Sequence, residues 1–367
     1  MNNQIINLVN HFHHIKFYVS NAFQSSFWYC FHFGFERFAN RQSLSSSEVA
    51  IRNGKIILVF KSVVCPNDPE HIGAEIAIHG DFVKDISYSV DNLDYILKYL
   101  NNNKYQILEP KTFCNDSNGS LFIAQIKGSG GSIIHTLIQD IDYKGIFLPG
   151  FKSVQNFTFC LNLPSIQFDG IDHVVEAHPE HALEEVTDWY KKILQMHRFW
   201  SIDDKIVHSE FSALRAILVK NNVNGLNNEQ VQVALVAPVE INGTKRRGQV
   251  KEFLDLHGQP GIQHIAFQTN NILQRVEELQ KRGLEFLQIP SSYYDLLEKR
   301  LNEYKGKPIK EDIIKKLGIL MDFDENGYLL QIFTKPVQDA LFAAVEMEQK
   351  HREFNLIKFK EEEREKK

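Results

Sequence analysis

The sequence predicts an α+β fold built as two tandem copies of one module. Three observations point to it. The halves share a weak internal repeat, short β-like runs alternate with helical patterns, and an aperiodic, proline-bearing stretch separates the copies. The repeat is too long for a solenoid and reads as duplicated domains.

The first copy opens on the β-like run His14-Ile15-Lys16-Phe17-Tyr18, and the second on Gly170-Ile171-Asp172-His173-Val174-Val175. A helical pattern carrying Trp-Tyr follows each, Trp28-Tyr29 and Trp189-Tyr190. Glu36-Arg37-Phe38 and His197-Arg198-Phe199 then lie at the same distance beyond. Val83-Lys84-Asp85-Ile86-Ser87-Tyr88 parallels Ile262-Gln263-His264-Ile265-Ala266-Phe267, and each leads into a helix, near Leu93–Leu100 and Ile272–Arg282. Last, Ser132-Ile133-Ile134-His135-Thr136-Leu137 is paired with Tyr328-Leu329-Leu330-Gln331-Ile332-Phe333. The junction falls in Lys144–Gly170, around Pro149-Gly150 and Pro164. The expected domains are 1–150, a linker 151–168, a second domain 169–339, and a C-terminal helix with charged tail over 340–367.

Composition narrows the function classes. A net charge of −5 gives no global pull toward nucleic acid or anionic membrane. No apolar stretch is long enough to span a bilayer, and the N-terminus lacks a signal-peptide pattern. Cys30, Cys65, Cys114 and Cys160 are scattered without a CxxC and read as thiols in a reducing compartment. A cytoplasmic enzyme is expected. The 27 Phe and 12 Tyr suggest an aromatic-rich core or pocket.

His173 and His264 carry the sharpest chemical signal. One histidine near the start of a strand is usually a satisfied structural residue. Two on symmetry-related strands can hold one metal, and iron(II), manganese and zinc all accept imidazole. The first half has Asp85 where the second has His264, so it reads as a structural module. Strand alternation sends His13 and His14 to opposite faces. His178 and His181 flank Pro179 in a loop expected to face solvent. Gly128-Ser129-Gly130-Gly131 lacks a following Lys-Ser/Thr and reads as a hairpin turn, not a phosphate cradle. Lys245-Arg246-Arg247 reads as a solvated loop.

Almost the whole chain resembles the 4-hydroxyphenylpyruvate dioxygenase family of the vicinal-oxygen-chelate superfamily. The segments that carry the resemblance are Phe12-His13-His14-Ile15-Lys16-Phe17-Tyr18-Val19, Gly145-Ile146-Phe147-Leu148-Pro149-Gly150, His197-Arg198-Phe199-Trp200-Ser201, Gly283-Leu284-Glu285-Phe286-Leu287 and the run from Gly327 to Pro336. The resemblance implies two tandem glyoxalase-type domains, paired βαβββ units forming curved open-barrel sheets, with the C-terminal domain incomplete. It implies conversion of 4-hydroxyphenylpyruvate and O₂ to homogentisate and CO₂ in tyrosine breakdown, and a homodimer or homotetramer. It also implies one Fe(II) held by two histidines and a glutamate. His173 and His264 match the histidine ligands. Gln249, Gln263, Gln331 and Phe333 match substrate-pocket positions.

The chain departs from the family pattern in three places. Ala216 replaces a serine and Val236 an asparagine, each removing a polar group from the pocket. After Asp339 the strand bearing the glutamate ligand is missing. Ala340-Leu341-Phe342-Ala343-Ala344-Val345-Glu346-Met347-Glu348-Gln349 instead resembles the family's final helix. On this reading Glu346 is a surface residue of a helix-favouring run, Asp339 is a candidate ligand without positional support, and the lost strand exposes a sheet edge. An active dioxygenase is the first reading. A non-catalytic binding or regulatory relative, or an enzyme forming hydroxymandelate, are the alternatives.

Overall fold

The computed structural model describes residues 8–155, 162–202, 208–209, 212–222, 229–239, 248–303, 311–323, 327–337 and 344–351. The first module runs β1 (His11–Tyr18), α1 (Ala22–Phe33), β2 (Glu36–Gln42), β3 (Ser46–Asn53), β4 (Ile56–Val63), α2 (Ile72–His79), β5 (Phe82–Ser89), α3 (Leu93–Asn102), β6 (Ile107–Asp116), β7 (Gly119–Lys127) and β8 (Ile134–Asp140), with the short β9 (Lys152–Ser153) after it. The second runs β10 (Gly170–Ala177), α4 (Leu183–Ile193), β11 (His197–Ile202), β12 (His208–Ser209), β13 (Ser212–Lys220), β14 (Gln232–Val239), α5 (Gln249–His257), β15 (Gly261–Gln268), α6 (Ile272–Lys281), α7 (Ser291–Glu303), α8 (Glu311–Leu317), β16 (Leu320–Phe323), β17 (Tyr328–Phe333) and β18 (Ala344–His351).

Eight strands of each sheet correspond in order, from β6 to β2 in the first and from β16 to β11 in the second. The first is ordered β6-β7-β8-β5-β1-β4-β3-β2-β9, and the second reads β16-β17-β18-β15-β10-β14-β13-β11, with β12 on β13. Local sequence explains the helices that follow strands. Asn21, Asn92 and Asn271 cap α1, α3 and α6, each side chain accepting from the N–H three residues on. Leu93, Ile96 and Leu100 of α3, and Ile272, Val276 and Leu279 of α6, supply the buried stripe that seats each helix on its sheet.

The C-terminal helix expected after residue 340 is not what forms. Ala344–His351 is strand β18, parallel to β15 and antiparallel to β17. β18 therefore takes the position expected to be vacant, and the edge expected to be exposed is paired. Val345-Glu346-Met347-Glu348 has helix-forming composition but also alternates with period two. An open slot between two strands, each with unpaired backbone groups, outweighs a propensity of a few tenths of a kcal/mol per residue, roughly. The final repeat pairing also shifts: β18 is the counterpart of β8, and β17 is that of β7.

One face of the first sheet is filled. Tyr143, Phe147, Leu148 and Phe151 pack on Ala39, Ala50, Val59, Leu121 and Ile138. By strand register this is the face that carries His14 and Asp85. The chain leaving β8 thus covers the face that corresponds, in the second module, to the one bearing His173 and His264.

The glycine-rich turn joins β7 to β8 as a hairpin, and it also wedges the modules together. Gly131 has φ +59°, and a Cβ there would stand 2.2 Å from Pro260 O. Ser129 Oγ donates to Glu176 (2.6 Å) and Gln259 Nε2 to Ser132 Oγ (2.7 Å). His178, expected in solvent, is buried beneath this wedge and bonds Glu176 at 3.0 Å. Burial raises the Glu176 pKa, but hydrogen bonding and charge from His178, the charge of His135 and the Ser129 hydroxyl leave it below the usual carboxylate range. Arg282, at the end of α6, donates to the carbonyls of Cys30, Phe31 and Pro164 and ties the second module to the last turn of α1.

Candidate metal centre

His173 on β10 and His264 on β15 come together. The strands are antiparallel, with His173 opposite Ala266 and His264 opposite Val175. The two histidines are therefore diagonal neighbours on one face. Their ring centroids are 6.0 Å apart at an interplanar angle of 72°. A metal bound by imidazole sits about 2.0–2.1 Å from the nitrogen, so two rings sharing one ion have centroids at most about 6.5 Å apart. The observed spacing lies within that limit.

Each histidine follows a β-bulge. In β10 the register jumps from Ile171 to His173, leaving Asp172 as the extra residue; in β15 it jumps from Ile262 to His264, leaving Gln263. A bulge breaks the alternation that would send neighbours to opposite faces. Here the extra residue's side chain meets the histidine: the Nδ1–H of His173 donates to Asp172 Oδ1 (3.0 Å) and that of His264 to Gln263 Oε1 (3.2 Å). Coordination would then fall to Nε2 of both rings.

The first module repeats this layout with different residues. Its bulges leave His13 and Lys84 as the extras, before His14 and Asp85. His13 and His14 are therefore not sent to opposite faces as expected, and their Nδ1 atoms lie 2.9 Å apart. The positions equivalent to the histidine pair carry His14 and Asp85, both buried. Thr136 donates to Asp85 through its N–H (2.9 Å) and its Oγ1 (2.6 Å), and Ser87 Oγ bridges Asp85 Oδ2 and His14 Nε2 at 3.1 Å each. These groups satisfy one another.

Register fixes the surroundings of the pair. His173, Ala266, Glu346 and Phe333 form one row across β10, β15, β18 and β17. Glu346 holds the position on β18 that Thr136 holds on β8. Its side chain lies outside the described residues, among which no three His, Cys, Asp or Glu side chains converge on a metal position. Asp339 likewise lies outside them, as do 241–242 and 245–247. The Phe333 ring stands edge-on to His264, with centroids 5.6 Å apart. Gln331 is half-buried two residues earlier on β17. Gln263 is buried against His264. Gln249 opens α5 and is exposed, and no contact among the described residues joins it to the histidines. Ala216, Val236 and Ala177 neighbour one another across β13, β14 and β10, in a buried apolar cluster with Val175, Val250 and Phe253.

Asp172 is the functional candidate that sequence reasoning missed. The signal was there, as an acid or amide directly before each histidine of the repeat, but strict alternation hides it.

The curled sheets and paired histidines define a class. A family profile described as "Glyoxalase/Bleomycin resistance protein/Dioxygenase superfamily" matches residues 170–332. Members of that superfamily typically bind a metal. A triple mutant of 4-hydroxymandelate synthase from Streptomyces coelicolor shares the fold, with a TM-score of 0.78 and 23% identity, over 98% of this chain and 100% of that one. Closer relatives narrow the class. The 4-hydroxyphenylpyruvate dioxygenase of Caenorhabditis briggsae is 42% identical over 358 residues (95% of this chain, 89% of that one). The enzyme of the same name from Danio rerio is 41% identical over 359 residues (95% and 88%). The chain belongs to the 4-hydroxyphenylpyruvate dioxygenase family.

Proposed function

We propose that this chain is an Fe(II)-dependent dioxygenase converting 4-hydroxyphenylpyruvate and O₂ to homogentisate and CO₂ in tyrosine catabolism. The observation that carries the proposal is the histidine pair, His173 and His264, facing one another on adjacent strands at a spacing within the limit for one shared ion. Family membership supplies the reaction. His173 and His264 would hold the metal through Nε2, and Glu346 is proposed as the carboxylate that completes the set. Its register position, beside Ala266 and Phe333, supports that role. What the bound metal supplies is chelation of the 2-oxo acid and activation of O₂.

The chain's own residues do the rest. Phe333 flanks the substrate ring, and the amides of Gln331, Gln263 and Gln249 are proposed to orient its polar ends. The apolar cluster of Val175, Ala177, Ala216 and Val236 keeps water from one wall of the site. A cytoplasmic homodimer or homotetramer is part of the proposal. Among the described residues no helix is long and apolar enough to cross a membrane.

The test is turnover by this chain. The protein is loaded anaerobically with Fe(II), mixed with 4-hydroxyphenylpyruvate and O₂, and its products are identified by mass spectrometry. Homogentisate and CO₂ in equal amounts, matched by O₂ uptake, are expected. 4-Hydroxymandelate would assign side-chain hydroxylation instead. No O₂ uptake at full metal loading would make the chain a non-catalytic relative.

A further inference from the structure

We infer that the two bulge residues, Asp172 and Gln263, are positioning residues that set the tautomer and aim of the histidine pair. This rests on the metal-centre reading above, but its geometry stands apart from any bound ion. Both bulges fall one residue before a histidine. Both extra side chains reach the Nδ1 of that histidine, at 3.0 and 3.2 Å. A regular strand would put each pair on opposite faces, out of reach. The bulge therefore supplies an orienting partner from the adjacent residue.

The two partners are not equivalent. Asp172 is a buried carboxylic side chain, and Gln232 Nε2 on β14 approaches its Oδ1 and its backbone carbonyl at 3.4 Å. A carboxylate on Nδ1–H holds the proton on that nitrogen, makes Nε2 more basic, and places a negative charge one ring away from a bound cation. Gln263 offers the same acceptor geometry without the charge. His173 is thus the ring oriented by a carboxylate, and His264 the ring oriented by an uncharged amide. The first module is an internal comparison. Its bulge residue His13 meets His14 through Nδ1 in the same way. There the neighbour is an imidazole kept neutral, its pKa lowered to about 4 by burial and by the charges of His11 and Lys16. The bulge is common to both modules, and the carboxylate belongs to the module with the histidine pair.

Gln263 also takes a second role beside the substrate-orienting one proposed above. Its Oε1 is the acceptor for His264. Its loss should therefore weaken metal binding more than it changes the choice among 2-oxo acids.

Two readouts test this. The first uses metal-free protein labelled with ¹⁵N-histidine, in which the tautomers of His173 and His264 are read from ring-nitrogen shifts. Both are expected as Nδ1–H with Nε2 unprotonated, and Asp172→Ala is expected to lose that preference at His173 alone. The second is Co(II) titration, chosen because its visible spectrum reports coordination. Asp172→Ala should bind Co(II) about 10–100-fold more weakly than wild type, with Asp172→Asn in between and Gln263→Ala less affected than Asp172→Ala. The thermal midpoint of each metal-free variant is measured alongside, and a positioning role predicts that affinity falls out of proportion to it. An Nε2–H tautomer at His173 in the metal-free wild type would overturn the inference. So would Co(II) affinity within twofold of wild type for Asp172→Ala. If the wild type binds no Co(II), the metal-centre reading fails, and the tautomer measurement still decides whether the bulge residues position the rings.

Discussion

Met347→Ala is the sharpest probe of the C-terminal strand. Met347 is fully buried on β18, opposite Phe267 on β15 and Ile332 on β17, and shares a core with Ile265 and Leu330. Truncating a buried methionine costs about 2–5 kcal/mol, because transfer energy is lost and the space is only partly refilled. For a module of this size that lowers the thermal midpoint by roughly 5–15 °C. If residues after 340 formed a surface helix instead, the same change would stay within about 0.5 kcal/mol. Urea unfolding followed by circular dichroism and tryptophan fluorescence measures the difference. Met347→Leu, which keeps volume, should cost less than about 1.5 kcal/mol. A loss under about 0.5 kcal/mol for Met347→Ala would refute β18 as an element of the sheet.

Other outcomes follow from the module contact. Gly131→Ala puts a Cβ 2.2 Å from Pro260 O at φ +59°, so left-handed strain and overpacking together should cost about 2–4 kcal/mol in urea unfolding, against under about 1 kcal/mol for Gly130→Ala, whose Cβ meets nothing nearer than 3.3 Å. His257 is buried between Phe253 and His79, and burial, then the charge of His79, lowers its pKa to about 4. The unfolded chain takes up that proton near pH 6.5 and the folded chain only near 4, so stability is full above pH 6.5 and falls as pH drops, by up to about 3 kcal/mol at pH 4. Urea midpoints between pH 7 and 4 should show this slope, and His257→Asn should flatten it.

Much of this was legible in the sequence because it depends on local pattern. The helices at Leu93 and Ile272 follow from an asparagine cap and an apolar stripe, and both form where expected. The alignment of Asp85 with His264 holds in the strand register. What failed depended on tertiary context. The run at Ala344 has helical composition, and only a vacant position between β15 and β17 makes it a strand. Bulges cannot be read from alternation, so His13 was sent to the wrong face and Asp172 was passed over. His178 read as a loop residue, because nothing near it in sequence announces that the turn at Gly130 will cover it. The pairing of Ser132–Leu137 with the run at Tyr328 slipped by one strand because both are short and apolar.

His173, His264 and Glu346 are proposed to hold one ion. Metal content after anaerobic loading with Fe(II) and removal of excess, measured by inductively coupled plasma mass spectrometry, tests it most directly. The account predicts one iron per wild-type chain, almost none in His173→Ala or His264→Ala, and a clear reduction in Glu346→Ala that Glu348→Ala, two residues along the same strand, does not share. Full occupancy in Glu346→Ala would remove the glutamate from the site. Full occupancy in either histidine variant would contradict the account.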